Sequence, residues 1–414
     1  MLAFTNARIF DGINNKLVNA NVIVDGDRIK SVSEAPVAEN VEVIDCGGRV
    51  LMPGLIDAHI HAYFYDLNVN RMQHLPVTMY AHHAANMLGD MLDRGFTSVR
   101  DTGGADYGLW LAIRDGLIKA PRLFYCEKAL SQTGGHADIR HQHHHHPHDD
   151  HVVMCGCCFV NPLGVVVDGV DAVRRVVREQ LRRGASFIKF CGSGGVSTTS
   201  DPLDSIQFSD SEVRAIVEEV ENHLVYCTAH IHPDRALKRA INLGVHCIEH
   251  GTLIEPDTAR MAADKGTFIV PTLAVIAGLS EHGEEFGYPR ESLDKLARVK
   301  DEAIDRLRHM KSAGVQLGFG TDLIGAIQPM QCIEFGLRSS VFSNFEILHQ
   351  ATGMNARIIG AQGEIGQIVE GAYADILVVD GNPLEDLKLM EDDGARIPIV
   401  MKGGNFHRNR LVAA

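Results

Sequence analysis

Several stretches of this chain place metal-binding residue types at the ends of short apolar runs. Pro53-Gly54-Leu55-Ile56-Asp57-Ala58-His59-Ile60-His61 reads as a buried strand entered through a Pro-Gly turn. Residues two apart on a strand point to the same side, so His59 and His61 leave its end together. Two imidazoles at that spacing suit a first-row metal ion. Further along come Phe187-Ile188-Lys189-Phe190, Ala229-His230-Ile231-His232, Ile248-Glu249-His250-Gly251 and Gly320-Thr321-Asp322. An ammonium inside an apolar strand is unstable alone. Lys189 therefore either pairs with an acid or has been converted, for example to a carbamate, an anionic group able to bridge two metals. His59, His61, His230, His250, Asp322 and a modified Lys189 would suit two borderline divalent ions, with zinc the default. Each residue also has an ordinary alternative: core hydrogen bonding for the first two, a cap or outer contact for His250, and a helix N-cap for Asp322.

Such a set works only if the strand ends converge. Strand patterns fall at 55–61, 97–101, 122–126, 187–191, 226–230, 247–249, 268–271 and 316–320. Helical patterns lie between them, at 79–94, 169–183, 209–222, 234–243, 255–265 and 290–313. Eight strands alternating with helices over about 270 residues predict an α/β (β/α)8 TIM barrel, whose strand ends meet on one face. A doubly wound open sheet is the runner-up. Residues 1–52 alternate in short strands, with a hairpin turn at Asp25-Gly26 and no helix. Further strand patterns at 366–368, 375–379 and 397–402 follow the barrel. The two termini are expected to combine as one small β-sandwich domain, residues 1–54 with 363–414, around a barrel of residues 55–362.

The composition is that of an ordinary globular protein, with 45% hydrophobic and 22% charged residues. A net charge of -14 and the lack of a basic stripe argue against a nucleic-acid partner. No run approaches a membrane span, and residues 1–20 show no secretory core. Nine scattered cysteines do not make a disulfide framework, so a cytoplasmic location is expected.

Pro-Gly-Leu-Ile-Asp-Ala-His-x-His, a strand lysine, histidines on two later strands and Gly-Thr-Asp together resemble the amidohydrolase superfamily. The resemblance covers nearly the whole chain. It implies that His59 and His61, with Asp322, hold the more buried metal, that carboxylated Lys189 bridges, and that His230 and His250 hold the more exposed metal. Thr133-Gly134-Gly135-His136-Ala137-Asp138 and Gly192-Ser193-Gly194-Gly195-Val196 look most like the prolidase-like and imidazolonepropionase-like branch. That branch implies hydrolysis of a dipeptide or N-acyl amino acid, releasing the C-terminal residue, proline among others. A hydroxide shared by two metals would attack the carbonyl, with Asp322 as general base and then general acid. Relatives often carry tyrosine contacting the substrate carbonyl where this chain has His232, which either donates a hydrogen bond to the developing oxyanion or marks a different selectivity.

His136 is the expected contact to the substrate carbonyl or carboxylate, against the alternative of a loop histidine bonded to Asp138. The amides of Gly192 to Gly195, Gly194 among them, and the Arg140 guanidinium are candidate anion contacts. Residues 131–164 form a long loop over the active face, with the run His143 to His146. Cys155, Cys157 and Cys158 lie near that run and read as free thiols or a separate soft-metal site. Asp201-Pro202 and Pro271-Thr272 are expected in the pocket walls, and Trp110 in helix packing. Cyclic amide hydrolysis, as in imidazolonepropionase, deamination and a non-catalytic scaffold are the competing functions. Assembly into a homo-oligomer is compatible with such a barrel.

Overall fold

The structure, a computed structural model, describes residues 1–73, 75–140, 161–199 and 201–411. Its centre is a parallel sheet in two pieces. Leu55–Ile60, Phe96–Asp101 and Arg122–Tyr125 form one. The other has the order Gly164–Val166, Ala129–Ser131, Ile188–Cys191, Cys227–Pro233, Cys247–Leu253, Phe268–Val270. These strands are short, apolar and buried, as parallel strands covered on both faces must be.

Two of the expected strands depart from regularity. The third breaks after Tyr125, where Glu127 takes a left-handed φ of +65°, and resumes as Ala129–Ser131. The Ser186 amide still donates to the Tyr125 carbonyl at 2.8 Å, linking the two sheet pieces on that side. The eighth, residues 316–320, is not a regular strand. Gly318 N donates to Ile269 O at 2.9 Å, and Ala58 N donates to Phe319 O at 2.9 Å, so the segment touches both neighbours. A side chain takes the remaining ladder position: Phe319 N donates to the Asn355 carboxamide oxygen, whose NH2 donates to Phe319 O and Ile56 O.

The helices Val77–Asp93, Val170–Arg182, Asp210–Asn222, Asp234–Asn242, Pro256–Lys265 and Arg290–Ala313 match the sequence pattern to within a few residues. Tyr107–Arg114 and Leu273–His282 do not show in it. Leu273–His282 buries Leu273, Ala274, Val275, Ile276 and Leu279, leaving no polar stripe to reveal a 3.6-residue period. Trp110 stacks on Tyr107 and packs on the core, as expected.

The termini do join, as one mixed sheet and not as two facing sheets. Its order is Asn405–Asn409, Ile399–Lys402, Ile376–Val379, Val50–Pro53, Leu2–Ile9, Val18–Asp25, Arg28–Ser33, with Glu42–Asp45 paired to the first half of Leu2–Ile9. Phe4, Val22, Ile29, Leu51, Ile376 and Met401 build a core of its own. Residues 366–368 are not a strand, because Gly366 takes φ +68°. Gly54 passes the chain from this sheet into Leu55–Ile60. A Cβ there would lie 1.9 Å from the Thr97 hydroxyl, so only glycine fits. Among the described residues, no helix is long and apolar enough to cross a membrane.

Candidate metal centre and active site

His59 and His61 leave the end of Leu55–Ile60 as the strand period requires. The Nε2 atoms of both lie 3.3 Å from Asp322 Oδ1. Ligands about 2.1 Å from a tetrahedral ion stand about 3.4 Å apart, so this spacing is that of a ligand set. Two charged or amide groups hold it in place. Asp322 N donates to His59 O at 2.8 Å, and buried Asp57 accepts from the amides of His59 and Thr321, the Thr321 hydroxyl and Gln331. Asp322 and His250 both sit at left-handed φ, +54° and +70°, a strain of about 1–2 kcal/mol each.

The second group is His230, His232 and His250. One nitrogen of each lies within 4.8 Å of the others, and His59, His250 and Asp322 satisfy the same criterion. Lys189, 3% exposed, lines the same cavity. Among the described residues no carboxylate comes within ion-pair distance of its Nζ, so the acid partner that the sequence left open is not there.

Nearly every imidazole has its Nδ1 held by a neighbouring group. His59 Nδ1 meets Glu249 at 2.7 Å and His61 Nδ1 meets Gly103 O at 2.8 Å. His232 Nδ1 meets the Thr252 hydroxyl at 2.7 Å, and His250 Nδ1 meets the Thr272 hydroxyl at 2.8 Å. His136 Nδ1 meets Asp201 at 3.2 Å. Such partners fix the orientation of each ring and leave its other nitrogen available.

Burial, reinforced by the crowding of neighbouring imidazoles, holds His230 and His250 well below the usual histidine range and His232 at about 3. These rings are neutral near pH 7 and keep a lone pair for a metal. Burial alone would raise the Asp322 pKa, but His59 and His61 outweigh it and keep the carboxylate ionised. Burial opposes a charge on His59 too, yet Asp322 and Glu249 together draw a proton to it. His59 Nε2 is nevertheless buried without a hydrogen-bond partner among the described residues. A cation fits where that proton would sit.

His136 lies against the same centre, its ring stacked on His230 at 4.2 Å. Its partner is Asp201, not Asp138. Asp201 also accepts from Gly195 N at 3.0 Å and from Gln207. Gly195 permits the stack, since a Cβ there would come within 2.5 Å of nitrogens of both His136 and His230.

Two expected anion contacts are otherwise engaged. The glycine-run amides are spent inside the protein: Gly192 N on His230 O, Gly194 N on Ser205 O, and Gly195 N on Asp201. Arg140 turns its fork onto both oxygens of Asp138, at 2.7 and 2.6 Å, and does not line the cavity. The runs His143 to His146 and Cys155 to Cys158 lie outside the described residues, and the six other cysteines are free and buried.

Residues 50–406 match the amidohydrolase family. The chain belongs to that family. This amidohydrolase is 33% identical to the ochratoxinase of Aspergillus niger over 369 residues, 87% of this chain and 76% of that one. It superposes with a TM-score of 0.92 on a prolidase complexed with N-methylphosphonate-L-proline, at 41% identity and 99% coverage of both chains. A Xaa-Pro dipeptidase with bound methionine gives a TM-score of 0.84 at 26% identity, covering 99% of this chain and 100% of that one. The amidohydrolase therefore falls in the prolidase-like branch and is a metal-dependent hydrolase of C–N bonds.

Several working residues of this amidohydrolase were not visible in its sequence. Glu249 joins His59 to the fully buried Arg100, whose Nη2 donates to it at 2.7 Å, and Thr228 bonds the same carboxylate. An acid inside an apolar strand was the available signal. Asp201 and Thr272, expected as pocket wall, prove to be imidazole partners.

Proposed function

We propose that this amidohydrolase cleaves the amide bond of a dipeptide or N-acyl amino acid and releases its C-terminal residue. The observation that carries the reading is the meeting of His59, His61, Lys189, His230, His250 and Asp322 in one cavity that His136 and His232 also line. The similarity to a prolidase complexed with N-methylphosphonate-L-proline supports the choice of substrate. We place the site at the mouth of a (β/α)8 barrel spanning residues 55–362, with 1–54 and 363–414 as the composite β domain. Bonds from 316–320 to both its neighbours support closure of that barrel.

Two divalent ions, zinc by the donor set, would supply Lewis acidity at the carbonyl and make water acidic enough to attack near neutral pH. His59, His61 and Asp322 would hold the first, and His230 and His250 the second. As a carbamate Lys189 would be a ligand shared by both, a role supported by its burial with no acid partner among the described residues. Asp322 takes the proton of the attacking water and returns it to the leaving nitrogen. His136, its Nδ1 held by Asp201, turns Nε2 to the cavity, where it contacts the substrate carbonyl or carboxylate. Its side chain is 14% exposed, as a substrate contact must be. Val275, Ile276, Leu279, Leu296 and Val299 receive the apolar part of the substrate.

Amino acid release from a dipeptide and N-acyl amino acid panel, with protein prepared in zinc and bicarbonate, tests this. Release by the parent and its loss in Lys189→Ala is the expected result. No release from protein shown to hold two metals would overturn the dipeptide assignment in favour of a cyclic amide.

A further inference from the structure

We propose that His232 is a ligand of the second metal ion, making it a three-histidine site, and not the oxyanion donor. The inference rests on the two-metal reading above but not on the choice of substrate.

Three observations place His232 with the ligands. A nitrogen of His232 lies within 4.8 Å of the corresponding atoms of both His230 and His250. Its ring stacks on His250 at 4.9 Å with a 16° tilt and stands edge-on to His230 at 4.8 Å. The His232 ring is therefore built into the histidine cluster, and the residue is only 5% exposed. An oxyanion donor has to be reached by substrate, and His136, stacked on His230, already offers a more open imidazole.

The outer contacts point the same way. His232 and His250 are held alike, each Nδ1 on a threonine hydroxyl, Thr252 and Thr272. One residue has been given the support of its neighbour. That support occupies Nδ1 and leaves Nε2 as the nitrogen available to a metal. The backbone is adjusted to match. Pairing of Cys227–Pro233 with Cys247–Leu253 slips between Ile231 and Pro233, so His232 sits in the irregularity, and its amide donates to Ser193 Oγ at 3.1 Å instead of a strand partner. Strand irregularities of this kind re-aim a side chain.

The two ions would then differ in charge. His59, His61 and Asp322 bring one negative charge to the first. Three neutral imidazoles bring none to the second, which leaves it the stronger Lewis acid.

Zinc titration of metal-free protein against a chromophoric chelator, with no substrate present, tests the assignment. The wild type should bind two ions. His232→Phe, which keeps the ring volume and removes both nitrogens, should weaken the second zinc by more than about a hundredfold and leave the first unchanged. Thr252→Val, which removes only the outer support, should weaken the second zinc by about tenfold to a hundredfold. Thr252→Val decides the matter if His232→Phe does not fold. Wild-type affinity for both ions in a folded His232→Phe, or in Thr252→Val when it alone folds, would overturn the proposal, as would a single zinc in the wild type. A protein that passes this test but releases no amino acid refutes only the substrate assignment.

Discussion

The two corners of the metal centre are built from the same side chain and supported in opposite ways. Around His59 the outer layer is charged and deeply buried, while His61 rests on the Gly103 carbonyl. Glu249 holds His59, Arg100 and Thr228 hold Glu249, and Asp57 pins the turn that carries Asp322. Around His232 and His250 the supports are neutral, the hydroxyls of Thr252 on Cys247–Leu253 and of Thr272 just before helix Leu273–His282. A carboxylate behind an imidazole makes it more basic, while a hydroxyl only orients it. The first corner is suited to hold its ion firmly. The second is suited to leave its ion electron-poor and free to engage substrate. The first corner also carries a structural risk, because its charges are stable only as a complete set.

That contrast can be broken at several points. Asp322→Asn removes the carboxylate shared by His59 and His61, and kcat should fall by about two to four orders of magnitude. Metal analysis of the same variant should show the first site depleted. Gly195→Ala pushes a methyl between His136 and His230, and kcat/KM should fall by about a hundredfold with the fold intact by circular dichroism. Glu249→Gln should separate the corners most clearly. It leaves Arg100 buried without a counter-charge, so chemical denaturation should show a loss of about 3–5 kcal/mol, and the first ion should bind about tenfold to a hundredfold more weakly. Thr272→Val should give the smallest effect, a loss of about 1 kcal/mol in stability with weakened binding of the second ion only. Equal effects of Glu249→Gln and Thr272→Val on both ions would show that the corners are not independent.

The clustering of the candidate histidines was legible because a strand's two-residue period is local. His59 with His61, and His230 with His232, declare their shared side within three residues. Their supports were not legible, because Glu249 meets a histidine 190 positions away and nothing in either neighbourhood says so. Counter-charges misled in the same way. Arg140 and the amides from Gly192 to Gly195 have the chemistry of anion contacts, but Asp138, Ser205 and Asp201 claim them first. In the fold, residues 316–320 carry a strand pattern, yet the Asn355 carboxamide takes one of the ladder positions. Helix Leu273–His282 was hidden by the opposite cause, burial so complete that its pattern has no contrast.

Lys295, on helix Arg290–Ala313, reaches across to the loop after the strand that carries Lys189. Its ammonium donates to the carbonyls of Gly195, Thr198 and Asp201, and Asp201 in turn orients His136. Loop and helix are thus a single transplantable part. A chimera that imports this loop from another hydrolase without the lysine beneath it would leave three carbonyls uncapped. Redesign of the specificity of this enzyme should exchange the two segments together.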